Sequence, residues 1–286
     1  MDEGMTGGVT DGQEWIAGLP DELDGQRKIM LSLLRWTEAD ERAGMLCVAC
    51  SVGRGNADRL SDLDMGLAID VTDAEFDAAV TDVHLAVDQA GDLIESYRHK
   101  LPGVSFTHER IFAQYADRCQ VDLVVIPLSQ DYGPVKDEVV LYDSGGHRTA
   151  RFQPKPVTPV QVREWAFNGW ACLADVGKYL RRGSAWEALE RLHQARNEYW
   201  RLLATASGVA NPQFGVTSLL DFAPSQVPAD LAATVSALDL GGLLAAALAL
   251  AARLGEIGDL LAPGQRAALP MAMAGYITED LAAIAL

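Results

Sequence analysis

The alternation of apolar and polar positions predicts a helix followed by two strands near the start of the chain. Residues 21–42 place apolar side chains among charges at the spacing of an amphipathic helix. The run 45–51, MLCVACS, is short and apolar, which favours a buried strand. Residues 64–70, DMGLAID, alternate with a period of two, which predicts a second strand.

The next stretch predicts a second helix and a hairpin. Thr72 and Glu75 have the spacing of a capping box, which indicates a helix that runs to about Asp92. Two further apolar segments, 111–115 and 121–126, are separated by a short polar turn and are expected to pair. The first part of the chain is therefore expected to be α+β, a mixed sheet with flanking helices and strands around residues 46, 64, 112 and 123.

Three closely spaced prolines mark a linker, because proline interrupts both helices and central strands. They are Pro154, Pro156 and Pro159. Beyond them the apolar spacing is helical throughout, which predicts an all-α C-terminal domain. We therefore expect a flexible N-terminal tail, a catalytic domain and a helical substrate-binding domain, at residues 1–20, 21–153 and 154–286.

The charge of the chain narrows the choice of partner. Its 286 residues include 40 acids and 23 bases, a net charge of -17. Nucleic acid is unlikely as the main partner, because phosphate backbones require a clustered positive surface. A cationic small molecule or a metal ion fits this charge better, and an effect on solubility alone is an open alternative.

Cysteines and apolar runs indicate a cytoplasmic protein without a membrane span. The four cysteines are too few and scattered for a disulfide framework, and Cys47 and Cys50 are expected to be buried in the first strand. The N-terminal residues lack the features of a signal peptide. The longest apolar run, Leu240 to Ala252, is too short to cross a bilayer and is expected to be a core helix.

The residues that suggest chemistry surround the second strand. Asp62 and Asp64 are two positions apart, so a strand directs both carboxylates to one side. Two adjacent carboxylates repel each other, and Mg²⁺ relieves this because it prefers oxygen ligands. The turn just before, residues 51–55 (SVGRG), offers backbone N–H groups for phosphates, and Arg54 could add a bidentate contact.

A third carboxylate is expected from a neighbouring strand. Asp122 is the only acid in the apolar run 121–126, where an unpaired carboxylate would be costly. If two metal ions clamp an in-line displacement, Asp122 is suited to complete the second site.

This combination resembles the DNA polymerase β-type nucleotidyltransferase superfamily. The matching residues are Ser51, an Asp-x-Asp that begins eleven positions later at Asp62, and the lone Asp122 on a later strand. The order of elements, with a separate helical domain at the end, looks most like the antibiotic nucleotidyltransferases that act on aminoglycosides and lincosamides. The resemblance is strong over residues 25–145 and only architectural over 160–286.

The resemblance implies an enzyme that binds a nucleoside triphosphate, with ATP as the expected donor, together with two Mg²⁺ ions. It would transfer the nucleoside monophosphate to a hydroxyl and release pyrophosphate. Asp62, Asp64 and Asp122 would be the catalytic, metal-binding acids, and Asp122 would take the hydroxyl proton or leave it to a metal-bound hydroxide or another acid. The β and γ phosphates would be held by Ser51, Gly53 and Arg54, with Lys178 and Arg196 as weaker candidates from the helical domain.

The acceptor would be a small, cationic molecule of the aminoglycoside type, bound by acids of the helical domain. The candidates are Glu164, Glu190 and Glu198, and for each of them an ordinary solvated charge on a helix face is the favoured alternative. The apolar C-terminal helices would permit a homodimer.

One position departs from the family pattern and keeps other functions open. The superfamily usually has Gly before the serine, whereas this chain has Cys50, whose Cβ could crowd the backbone approach to the triphosphate. A non-catalytic nucleotide-binding regulator is therefore one alternative. A nucleotidyltransferase that modifies a protein or tRNA is the other, and the negative charge disfavours tRNA.

Overall fold

The computed structural model describes residues 11–100, 108–130, 134–148, 153 and 155–286. The chain divides into two compact units, Met1–Gln153 and Pro154–Leu286. Each unit is built around its own hydrophobic core.

The first unit is built on a mixed sheet of six strands: β1 Ala43–Val48, β2 Leu63–Ile69, β3 Leu93–Lys100, β4 Glu109–Tyr115, β5 Gln120–Pro127 and β6 Val139–Asp143. The strand order is β3-β4-β5-β2-β1-β6. Strands β2 and β5 pair in parallel and the other neighbours are antiparallel.

The sheet has one face covered by helices and one face that carries the candidate acids. The helices of this unit are α1 Gly12–Ala17, α2 Asp24–Ala39, α3 Cys50–Arg54 and α4 Asp73–Asp88. Buried side chains of α2 and α4 pack with Leu63, Leu67 and Leu123 in the main core. Because side chains alternate along a strand, Asp64 and Asp122 lie on the other face.

The predicted α+β architecture with a helical second part is confirmed, with some local differences. Strands β3 and β6 lie at the two edges of the sheet and were not expected from the pattern. The capping box of Thr72 and Glu75 is present, but its helix ends at Asp88 rather than near Asp92. The predicted N-terminal tail contains helix α1, whose Ile16 is fully buried, so the packed domain begins earlier than residue 21.

The second unit is helical, with α5 Pro159–Arg181, α6 Ala185–Ala206, α7 Val216–Phe222, α8 Leu240–Glu256, α9 Pro263–Arg266 and α10 Met271–Ala282. Short 3₁₀ turns connect several of them. One described segment, Leu240–Asp259, has the length and apolar composition that a membrane span needs. In this structure its Leu243, Ala247, Leu250 and Leu254 belong to the helical core.

Candidate active site

The acid pair lies where β2 begins. Asp62 is exposed just before the strand and Asp64 is half-buried within it, while Leu63 between them is fully buried in the main core. Burial first, and then the negative charge of Asp62, raise the pKa of Asp64. The two carboxylates are therefore close enough to repel each other, as the sequence spacing predicted.

The parallel pairing of β2 with β5 brings the third acid beside them. Asp64 and Asp122 are register partners in this pair, so their side chains project from neighbouring positions on the same face. Asp122 is flanked by the fully buried Val121 and by the buried Leu123, which anchor β5 in the main core. The sheet itself thus places three acids at one end of two adjacent strands.

Arg110 on β4 is the residue that the sequence analysis missed. Its Nε and Nη2 atoms donate to the two carboxylate oxygens of Asp122, an ion pair between a half-exposed guanidinium and a largely buried carboxylate. The charge of Arg110 also opposes the rise in the pKa of Asp64. The sequence did contain a signal for this contact. Arg110 is the one basic residue of β4, and it lies two positions from the residue opposite Asp122.

The segment after β1 is a short helix, α3, rather than an open glycine turn. Cys50 begins it with φ 53°, in the left-handed region that favours glycine, and Gly55 ends it with φ 79°. Cys50 is therefore exposed at the end of the strand, not buried within it as expected, whereas Cys47 is buried. The unusual φ supplies a physical reason for glycine at this position in the family that the sequence resembles.

The thiol of Cys50 faces the acid pair. It makes a side-chain hydrogen bond with Asp64. Desolvation, followed by the charge of Asp64, raises the pKa of the Cys50 thiol to about 12. At neutral pH the thiol is protonated, so it acts as a hydrogen-bond donor to Asp64 and not as a nucleophile.

The other phosphate-binding candidates of this turn are tied to the loop before β6. A Cβ added at Gly53 would lie 2.0 Å from the carbonyl oxygen of Asp137, so only glycine permits this approach. Arg54 donates from Nη1 to the carboxylate of Asp137 at 3.2 Å and from Nε to Asn56 at 3.1 Å. Lys136 contacts the same carboxylate at 3.1 Å, which adds a second cation that the sequence analysis did not identify.

A buried amide supports the loop that leads to the acid pair. Gln26 of α2 is almost fully buried, and its Nε2 donates to the carbonyl oxygens of Ser61 at 2.9 Å and Asp58 at 3.3 Å. Within the loop, the Asp58 carboxylate accepts from the N–H of Leu60 at 2.8 Å. These bonds hold the backbone immediately before Asp62 to helix α2.

The acids fit one divalent cation better than two. Asp62 and Asp64 offer carboxylate oxygens, which magnesium prefers, and their mutual repulsion is what a cation relieves. Both oxygens of Asp122 are bonded to Arg110. Across the described part of the chain, no group of three or more His, Cys, Asp or Glu side chains is arranged to hold a metal ion. The structure therefore brings the three acids near each other, with Asp122 held by Arg110, and the expected two-ion site stays a prediction.

Lys178 and Arg196, the cations suggested from the helical unit, make local contacts. The ammonium of Lys178 lies 2.5 Å from the carboxylate of Asp175, which raises the pKa of Lys178, and 4.5 Å from the ring centre of Tyr179. Arg196 binds the carbonyl and hydroxyl oxygens of Thr234, the latter at 2.9 Å. Arg196 therefore connects α6 to the 3₁₀ turn that ends at Thr234, a structural role.

The three suggested acceptor-binding acids differ in environment. Glu164 and Glu190 are exposed, and Glu190 accepts from Gln194 at 2.8 Å. Glu198 is more buried and pairs with Arg201 at 2.8 Å. Burial raises the pKa of Glu198, with a smaller contribution from the charge of Glu164. Glu164 and Glu198 therefore belong to one acidic region of the helical unit, and Glu190 is held in a separate helix-face contact.

Comparison with known proteins adds a similarity to one kind of enzyme. The chain is similar to the crystal structure of an aminoglycoside 6-adenyltransferase from Bacillus subtilis, with 14% identity and a TM-score of 0.40, over 93% of this chain and 100% of that chain. No protein-family model and no curated protein matches the sequence.

Proposed function

We propose that the chain is a nucleotidyltransferase that moves a nucleoside monophosphate from a nucleoside triphosphate to a hydroxyl of a small molecule. The observation that carries the proposal is the acid arrangement on one sheet face: Asp62 and Asp64 at the start of β2, with Asp122 as the register partner of Asp64. Ser51 follows one residue after the Cys50 thiol that contacts Asp64, so a phosphate-binding turn would adjoin the acids.

In this reaction the hydroxyl oxygen attacks the α-phosphorus, the bond from that phosphorus to the bridging oxygen breaks, and pyrophosphate leaves with the electron pair. The hydroxyl proton passes to a base or to solvent. A bound Mg²⁺ would supply charge neutralisation for the phosphates. Asp62 and Asp64 would hold it, while α3 would position Ser51 and Arg54 toward the triphosphate.

Arg54 must change partner for this role. It is bonded to Asp137 and Asn56, so contact with a phosphate requires that the guanidinium leave or share the carboxylate of Asp137. Because the side chains of this pair are largely buried, a phosphate must replace the charge contact that Arg54 gives up. Lys136 is proposed as an additional phosphate-binding cation, since it lies beside the same carboxylate.

For the acceptor we propose a cationic small molecule of the aminoglycoside type. The net charge of -17 favours approach of a polycation. In the helical unit, the raised pKa of Glu198 and its proximity to Glu164 mark an acidic region where amines would be stabilised. Glu190 and Lys178 remain weaker predictions for acceptor and triphosphate binding.

The test is mass spectrometry of aminoglycosides and lincosamides, each incubated with the full chain, Mg²⁺ and all four nucleoside triphosphates. The expected result is a mass gain of one nucleoside monophosphate on at least one compound. The Asp62→Asn/Asp64→Asn variant, run in parallel, should give no gain. Absence of any gain with the unaltered chain, together with retained nucleotide binding, would contradict the proposed acceptor class.

One alternative has an observation in its favour. The left-handed φ of Cys50 and the engagement of Asp122 by Arg110 are both departures from an open catalytic site, and both suit a nucleotide-binding regulator without turnover. Nucleotide binding without pyrophosphate release, for every acceptor and protein extract tried, would favour the regulator.

A further inference from the structure

The register of three neighbouring strands explains how Arg110 reaches the acids. Phe112 is the direct partner of Asp122 in the antiparallel β4–β5 pair, and Arg110 lies two residues away on the same face. A diagonal contact of this kind is within reach of a long side chain. The guanidinium binds Asp122 with two nitrogens, which fixes its plane as well as its position.

The charge of Arg110 acts on more than Asp122. Asp64 is the register partner of Asp122 in the parallel β2–β5 pair, so the guanidinium that binds Asp122 lies near both carboxylates. Asp62, in contrast, has no ion-pair partner among the residues that the structure describes. By formal charge, three carboxylates and one guanidinium leave two negative charges, which match a single divalent cation.

We propose that the acidic face takes one divalent cation, at Asp62 and Asp64, and that Arg110 supplies at Asp122 the positive charge that a second cation would bring. The inference rests on the proposed function, because it assumes that the acids bind a metal ion. Arg110 is then a positioning residue: it orients the Asp122 carboxylate and excludes a second ion from its oxygens.

A purely structural ion pair would look the same in the structure, so the test must measure ion binding. Mn²⁺ is a suitable probe because it takes the oxygen ligands that Mg²⁺ takes and its free concentration can be read by electron paramagnetic resonance. The titration uses the full chain, with and without a non-hydrolysable nucleoside triphosphate, and the count without nucleotide is the primary reading.

The variants separate the role of charge from the role of the side chain. The unaltered chain should bind one Mn²⁺, and so should Arg110→Lys, which keeps the charge. Arg110→Met should bind two Mn²⁺ ions. The affinity for the second ion should be at least tenfold higher than in the unaltered chain. Asp122→Asn should keep the single ion, because that ion is assigned to Asp62 and Asp64. If Arg110→Met does not fold, Asp122→Asn still tests the inference, because loss of the ion in that variant would contradict the assignment to Asp62 and Asp64.

Each contrary result has a distinct meaning. Two ions in the unaltered chain without nucleotide would overturn the role of Arg110 while leaving the proposed function in place. A single ion in folded Arg110→Met, or loss of the ion in Asp122→Asn, would overturn the inference in the same way. No ion in any form of the chain, with no nucleotide bound, would instead reject the proposed function itself.

Discussion

The two units of the molecule treat their acidic residues differently. In the helical unit, Glu198 pairs with Arg201 and Asp175 with Lys178 three residues apart within a helix, and Asp175 and Asp280 each also pair with an arginine of another helix. In the α/β unit, Asp64 and Asp122 come from separate strands, and the cation that meets them comes from a third. Local pairs of this kind need no explanation beyond helix stability. Acids that neighbouring strands place side by side repel each other, which is why we propose that a cation binds them.

The sharpest test of this contrast is removal of charge from each unit in turn. Asp62→Asn/Asp64→Asn should reduce the proposed nucleotidyl transfer about a thousandfold or more, because the groups proposed to hold the metal are lost. Its melting temperature should be equal or higher, since neutral amides do not repel. Asp280→Asn in the helical unit is the control and should keep its activity. Equal loss of activity in both variants would show that the acids of the two units do not differ in their importance for activity.

A second test compares two glycines. Gly53→Ala should destabilise the chain by about 1–3 kcal/mol, because the new Cβ would overlap the Asp137 carbonyl 2.0 Å away. Gly275→Ala, within α10 and with no atom within 4 Å of the new Cβ, should instead stabilise it by roughly 0.5–1 kcal/mol. Chemical denaturation measures both. If both substitutions changed the free energy of unfolding in the same direction, the contact between α3 and the loop before β6 would not be tight.

A third test concerns the left-handed residue at the start of α3. Cys50→Gly should relieve roughly 1–2 kcal/mol of backbone strain, partly offset by the flexibility of glycine in the unfolded chain, for a net gain of under about 1 kcal/mol. The affinity of the Cys50→Gly variant for a nucleoside triphosphate should also be higher than that of the unaltered chain. Cys50→Ala keeps the Cβ and removes the thiol, so a gain of equal size there would assign the effect to the thiol and not to the backbone.

Ion pairs in the helical unit should matter less. Arg181 binds Asp280 at 2.8 Å with both side chains partly exposed, so Asp280→Asn should cost about 0.2–1 kcal/mol of stability. Thermal unfolding at low and high salt measures this, and the cost should shrink as salt screens the pair. A loss that is large and independent of salt would mean that the helical unit also has a functionally important charge cluster.

The smallest expected effect is a pH dependence of stability. The pKa of Asp64 is raised in the folded chain, so folding favours its protonated form, and its ionisation reduces stability as pH rises from the ordinary carboxyl pKa through the raised value. The free energy of unfolding should therefore fall more steeply with pH across this window for the unaltered chain than for Asp64→Asn. Saturating Mg²⁺ should reduce the difference, and identical slopes without Mg²⁺ would contradict the assignment.

Much of the α/β unit follows from local pattern. The alternation around Leu63 and the apolar run around Leu123 predict β2 and β5, and the spacing of Asp62 and Asp64 predicts their common side. The edge strands β3 and β6 escaped prediction because an edge strand is partly exposed on both faces and lacks a clear period. Their presence is set by pairing with neighbours, which no local window contains.

The placement of the acids on one face of the sheet was predictable from the sequence, but the contact of Arg110 with Asp122 was not. The contact of Arg110 with Asp122 depends on the register of β4 and β5, and a shift of one residue would direct Arg110 to the opposite face. The φ of Cys50 was likewise hidden, because the apolar run predicted a strand through that position. Residues whose roles come from long-range register or from an unusual backbone angle are the ones that sequence pattern cannot supply.

The parallel pairing of β2 with β5 also affects how the protein folds. Between these strands the chain forms α4 and the β3–β4 hairpin, so a long connection must close before Asp64 meets Asp122. Pairings of this kind form late, since the entropy of loop closure is lost before the contacts are gained. A nascent chain would therefore display Asp62 and Asp64, the two acids proposed to hold the ion, before Asp122 and Arg110 join them. The ion pair that is proposed to exclude a second ion would form only late in folding.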